Sequence, residues 1–183
     1  MTMKRTIQVA FCGAAAAIQI VLLLLTNFFP NATLALPALA GVVLMVVVME
    51  IGIRWSWAVF GICSILAFFL LSDKKAFLVY VLFLGYYPTL KACIERSAHA
   101  RVLAWILKLF TLNAAVVLDL TLVMFVLRLP ISNGFLSLHI LPIAIFAGAN
   151  VLFIVYDLLL SGLVVQYWNR LHPHIAKLVG GKK

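Results

Sequence analysis

The chain has 183 residues, of which 66% are hydrophobic and only 10% charged, and its formal net charge is +9. A water-soluble domain of this size cannot hide so much apolar surface, so most side chains must meet lipid. The positive excess then belongs to membrane topology and to anionic lipid, and no nucleic-acid partner is needed to explain it.

Six apolar runs follow one another, at 6–27, 33–51, 55–71, 76–92, 102–127 and 138–165, with a basic tail at 166–183. They are apolar on every face, whereas a lipid-spanning barrel alternates apolar and polar residues. The prediction is an all-α integral membrane protein, one six-helix bundle over 1–183. The first run opens on Lys4 and Arg5, and Ala14-Ala15-Ala16 imitates a cleavage site. Its apolar stretch continues through Leu25, so a retained helix is expected rather than a signal peptide. Ala10, Gly13, Ala14 and Ala17 share one face of that helix and form a groove that another helix can approach closely. That helix belongs either to this chain or to a partner.

Glu50 and Arg54, four residues apart after the second run, read as a local ion pair. The fourth run is short for a hydrocarbon core of about 30 Å. It reaches across only if the helix continues through Pro88 towards Ala92, with a neighbouring helix satisfying the carbonyl that proline leaves free. Runs five and six carry the intramembrane polar residues Asn113, Asp119, Asn150 and Asp157. Depths counted from Trp105 and Trp168 pair Asn113 with Asp157 in one layer and Asp119 with Asn150 in another. These pairs serve either as interhelical glue or, in the second layer, as contacts to a solute. Lys108 is expected to snorkel to the interface, with a salt bridge to Asp157 as the alternative.

Eleven of the 14 Lys and Arg (Lys4, Arg5, Arg54, Lys91, Arg96, Arg101, Lys108, Arg170, Lys177, Lys182 and Lys183) fall on one side of this layout, and Lys74, Lys75 and Arg128 on the other. The positive-inside rule then predicts a multi-pass protein of the cell membrane with both termini cytoplasmic. Trp55, Trp57, Trp105 and Trp168 all lie at the cytoplasmic ends, where indole prefers the headgroup layer. The outer side offers Asn27, Asp73, Lys74, Asp119, Asn133, His139 and Asn150 as candidate contacts for a small-molecule solute.

Cys12, Cys63 and Cys93 have no paired spacing and read as small packing residues. His172-Pro173-His174 lacks acidic or thiol partners, so no metal is assigned. GxxxxGK[ST], HExxH, GxSxG and CxxC are all missing from the sequence, which predicts no catalytic residue, no cofactor and no ATP hydrolysis by this chain itself.

This length, the six helices, the cytoplasmic termini and the Ala10/Ala14 motif together resemble the substrate-binding S component of energy-coupling factor (ECF) transporters. Leu36-Pro37-Ala38-Leu39-Ala40-Gly41 adds a weaker echo, while Glu50-Ile51-Gly52-Ile53-Arg54 replaces the Gly-Pro-rich segment often found after helix two. The resemblance implies a transmembrane coupling subunit (T component) contacting Ala10 and Ala14, with Gly13 and Ala17 alongside. It also implies two separate ATPase subunits and a vitamin-like molecule bound beneath the outer loops. The competing reading is a non-transporting membrane scaffold or assembly factor. An ordered outer cavity favours the first, and outer ends filled by Phe28, Phe29 and leucines favour the second.

Overall fold

In a computed structural model, the structure describes residues 5–97, 101–125, 140–167 and 169. Asn133, His139, Arg128 and the His172/His174 pair lie outside the described residues, as do the side chain of Asp119 and that of Trp168. Among the described residues all regular structure is helical. Helices α1 (Arg5–Leu25), α2 (Ala35–Glu50) and α3 (Ile53–Leu70) are followed by α4 (Lys74–Val79), a π-helical turn (Tyr80–Leu84) and α5 (Tyr87–Ser97). Then come α6 (Arg101–Phe125) and α7 (Ile140–Gln166).

Among the described residues, four segments are long and apolar enough to cross a membrane: Arg5–Leu25, Ile53–Leu70, Lys74–Ser97 and Ala147–Gln166. Ala35–Glu50 and Val102–Leu118 are shorter apolar helices. The outward faces are as greasy as the interior: Val9, Ile18, Val21, Phe69, Phe110 and Leu158 are all exposed. That is the inverse of a soluble bundle and the expected surface of a protein solvated by lipid.

Helices α1, α2 and α3 pack on one another around Cys12, Leu23, Leu44, Val47, Cys63 and Ala67. A second core of Met45, Leu84, Tyr87, Leu112, Phe153, Tyr156 and Leu160 joins α2 and α5 to α6 and α7. Cys12 and Cys63 are buried in the first core with free thiols, as small packing residues are. Gly52, between α2 and α3, has a φ of 119°, a left-handed backbone that glycine adopts without Cβ strain and that lets the chain reverse in two residues.

The fourth run does continue through its proline. Pro88 stands in the first turn of α5, and the segment Lys74–Ser97 runs 24 residues, five past the predicted end at Ala92. Proline cannot donate to the Leu84 carbonyl one turn back. The hydroxyl of Tyr156 from α7 fills that position, donating to Leu84 O at 3.3 Å and to Ala38 O at 3.3 Å. Just before it, the Gly85 amide reaches back five residues to Tyr80 O at 2.8 Å, which is the π-helical turn.

Gly41 of α2 makes room for this arrangement. A Cβ there would collide with both the Tyr156 hydroxyl and the Leu84 carbonyl oxygen. Gly41→Ala is therefore expected to destabilise the protein by about 1–3 kcal/mol through overpacking, read as a lower thermal midpoint in mild detergent. Gly13→Ala, where a Cβ meets nothing within 4 Å, is the neutral control.

Candidate functional site

The most highly charged interior of the bundle lies where α5, α6 and α7 meet. Tyr87, Lys91 and Glu95 are four residues apart along α5 and so share one face. Asp157 and Ser161 do the same on α7, and Lys108 lies on the face of α6 that also buries Leu112 and Ala115. Asp157 is 2% exposed, Lys108 4% and Lys91 6%.

Lys91 Nζ donates to Asp157 Oδ1 at 2.6 Å, to the Asp157 carbonyl at 2.9 Å and to Ser161 Oγ at 2.6 Å. All three of its protons are thereby engaged. Tyr87 Oη donates to the same Asp157 Oδ1 at 2.5 Å. Lys108 Nζ donates to Glu95 Oε1 at 2.8 Å and faces both Asp157 oxygens at 3.3 and 3.4 Å. Glu95 also stands 3.8 Å from Lys91, yet its side chain is 50% exposed. Two ammonium groups thus face two carboxylates, so the cluster is close to electroneutral, the condition under which charges survive inside a membrane protein.

Two sequence-based expectations are corrected here. Lys108 does not snorkel, because a partnered carboxylate within the bundle holds its ammonium more firmly than the interface would. The register of α6 against α7 also differs from the predicted one. Asn150 Nδ2 donates to Asn113 Oδ1 at 3.1 Å, so the amides pair with each other and Asp157 goes to the lysines. The shift is about six residues, or about 9 Å along the axis. An ion pair in a low-dielectric interior outweighs an amide–carboxyl contact and sets the slide. The tryptophan belt fixes depth only to within a turn or two, and charge pairing decides the rest.

At the end of the bundle where α1 meets α3 and α4, the structure brings three predicted solute contacts together. Asn27 accepts from the Ser72 amide at 3.1 Å and donates to Leu70 O at 3.4 Å. Asp73 caps α4 by accepting from the Lys75 amide at 3.0 Å, and takes the Thr33 hydroxyl at 3.3 Å. Lys74 Nζ donates to the Phe68 and Leu71 carbonyls, each at 2.9 Å, over the Phe68 ring. All three serve the loose carbonyls and amides of helix ends, which need partners when water is scarce. Phe28 and Phe29 are 78% and 59% exposed, so they do not fill this end of the bundle.

At the opposite end, Tyr167 donates to Glu50 Oε1 at 2.5 Å, joining the ends of α2 and α7. Burial and then the Glu50 carboxylate hold the Tyr167 phenol well above its ordinary pKa, so it stays a donor at any physiological pH. A further polar tie crosses the first core, where Tyr80 Oη donates to Gln19 Oε1 at 2.9 Å with both residues fully buried.

Several clefts open on this framework. One of about 550 Å³ runs along α6 beside Phe110, Asn113, Ala114, Val117, Leu118 and Thr121. One of about 350 Å³ lies between α6 and α7, where Lys108, Asp157, Glu95 and Ser161 meet Trp105 and Leu158. One of about 300 Å³ lies on the other side of Glu95, between α2, α5 and α7.

The small-residue face of α1 points away from the bundle. Ala10, Gly13, Ala14 and Ala17 are exposed, whereas Cys12, Ala15, Gln19 and Leu23 form the buried face against α2 and α3. Among the described residues no three His, Cys, Asp or Glu side chains gather at metal-binding distance. No family model matches the chain, and comparison with curated proteins and with solved structures likewise gives no match.

Proposed function

We propose that this chain is the solute-binding membrane subunit of an ECF-type importer, energised by partner subunits through α1. The observation that carries the reading is the outward placement of Ala10, Gly13, Ala14 and Ala17. Elsewhere on α1 the exposed positions include Val9, Ile18 and Val21, bulky side chains suited to lipid. Four small residues together leave a depression instead, and helices associate in lipid by close backbone approach, which small residues permit. Among the described residues nothing packs into the groove at Gly13, where a Cβ would touch nothing within 4 Å.

In this reading six helices cross the membrane with both termini in the cytoplasm, so the α1 groove lies in the cytoplasmic half beside the coupling subunit. Two ATPase subunits supply the energy. The solute, a vitamin-like small molecule, enters from the outer side. Its polar contacts come from Asn113 at the α6 cleft, held there by the hydrogen bond from Asn150, and from the Asn27, Asp73 and Lys74 end of the bundle. A cleft with apolar walls and few amides suits a compact, largely apolar molecule.

The reading is tested by gentle purification of the intact protein, mass spectrometry of any co-purified small molecule, and titration of that molecule back onto stripped protein. Stoichiometric retention of one compound, weakened about tenfold by Asn113→Ala, is the expected result. Protein that never retains a compound, yet still associates with other membrane proteins, would favour the scaffold reading.

A further inference from the structure

Of the four charges at the junction of α5, α6 and α7, three are locked and one is not. Lys91, Lys108 and Asp157 are buried, and Lys91 has no proton to spare. Glu95 sits at the rim with half of its side chain in contact with the surroundings. It nevertheless provides the closest partner of Lys108, at 2.8 Å against 3.3 Å for Asp157. Without Glu95, Lys91, Lys108 and Asp157 leave one uncompensated positive charge, which a low-dielectric site cannot leave unpaired.

The cleft beside this charge is large enough for more than a carboxylate, at about 350 Å³, and opens between α6 and α7. Its floor is polar, with Lys108, Asp157 and Ser161, and its lip is apolar, with Leu158 59% and Trp105 38% exposed. Trp105 lies one turn before Lys108, with its ring 5.5 Å from the ammonium. A charged floor under an apolar lip is the arrangement that receives an anionic head carried on an apolar body.

We propose that Lys108 holds an exchangeable anion, that Glu95 is its internal stand-in, and that the cleft between α6 and α7 takes the phosphate group of a ligand. When phosphate arrives, Glu95 turns outward, where half of its side chain is already exposed. Lys108 passes from one oxyanion to another without being left unpaired. This site is separate from the α1 groove and does not depend on the importer reading.

The test uses the full chain in nanodiscs, with bound molecules counted by native mass spectrometry. Phosphatidylglycerol is compared with diacylglycerol of the same acyl chains, and inorganic phosphate is titrated as competitor. Wild-type protein should retain phosphatidylglycerol over diacylglycerol. Glu95→Gln, which removes the competing carboxylate, should tighten that retention about tenfold, and Lys108→Met should abolish it while Lys108→Arg preserves it. Displacement by inorganic phosphate would identify the free ion as the source, and persistence would identify the lipid headgroup. Unchanged or weaker retention in Glu95→Gln overturns the proposal, as does wild-type retention in Lys108→Met.

Discussion

Asp157→Ala is expected to destabilise the protein by about 3–5 kcal/mol, the cost of removing one partner from a buried charge cluster. Two ammonium groups and the Tyr87 hydroxyl converge on this one carboxylate. For a chain of this length the loss corresponds to a fall of roughly 10 °C in the thermal midpoint, measured in mild detergent. The loss belongs to the unpaired cations, not to the missing atoms. The double variant Asp157→Leu with Lys91→Met, which removes a charge of each sign and fills the space, should therefore regain most of it. If the double variant is as unstable as the sum of its parts, the cluster is not held together by charge pairing.

Ala14→Trp, alone or with Ala10→Trp, is expected to reduce co-elution of a membrane partner at least tenfold while leaving the thermal midpoint of the isolated protein within about 1 kcal/mol of wild type. Both positions are exposed, so an indole there meets lipid rather than the bundle. It would, however, fill the depression that lets a second helix come close, and such packing is steeply distance-dependent. Ile18→Trp, on an exposed but already bulky part of the same helix, is the control and should leave co-elution intact. Equal loss in all three variants would show that α1 tolerates no tryptophan, and no loss in any would remove the groove from the partner interface.

Much of this architecture is legible in the sequence, because lipid imposes simple demands. Long apolar runs mark helices, and the gap of proline donors at Pro88 announces a partner for Leu84, which turned out to be Tyr156. The spacing Tyr87, Lys91 and Glu95 also marks a polar helix face. Its meaning is hidden by charge counting, which treats Lys91 on α5 and Lys108 on α6 as interfacial cations although both point into the bundle at Asp157. Charge counting assigns a residue to a side of the membrane but does not say whether it points into a bundle. Of the partners of Asp157, Lys108 is an option the sequence offers, whereas Lys91 and Tyr87 are not, since they depend on how α5 packs against α7. The α1 groove was legible as a pattern, while the direction it faces came only from how α2 and α3 cover the opposite side. Asn27, Asp73 and Lys74 were recognisable as polar groups at one end. Their commitment to helix ends follows from backbone groups that no side-chain pattern displays.

The proposed role of α1 is to dock an energy-supplying partner. A photo-crosslinking residue placed at Gly13, in intact membranes, interrogates it directly, because that position has open space around it and disturbs nothing in the bundle. The predicted result is one dominant adduct to a multi-span membrane protein that itself co-purifies with two ATPase subunits. Adducts to lipid alone, or to a second copy of this chain, would contradict the account.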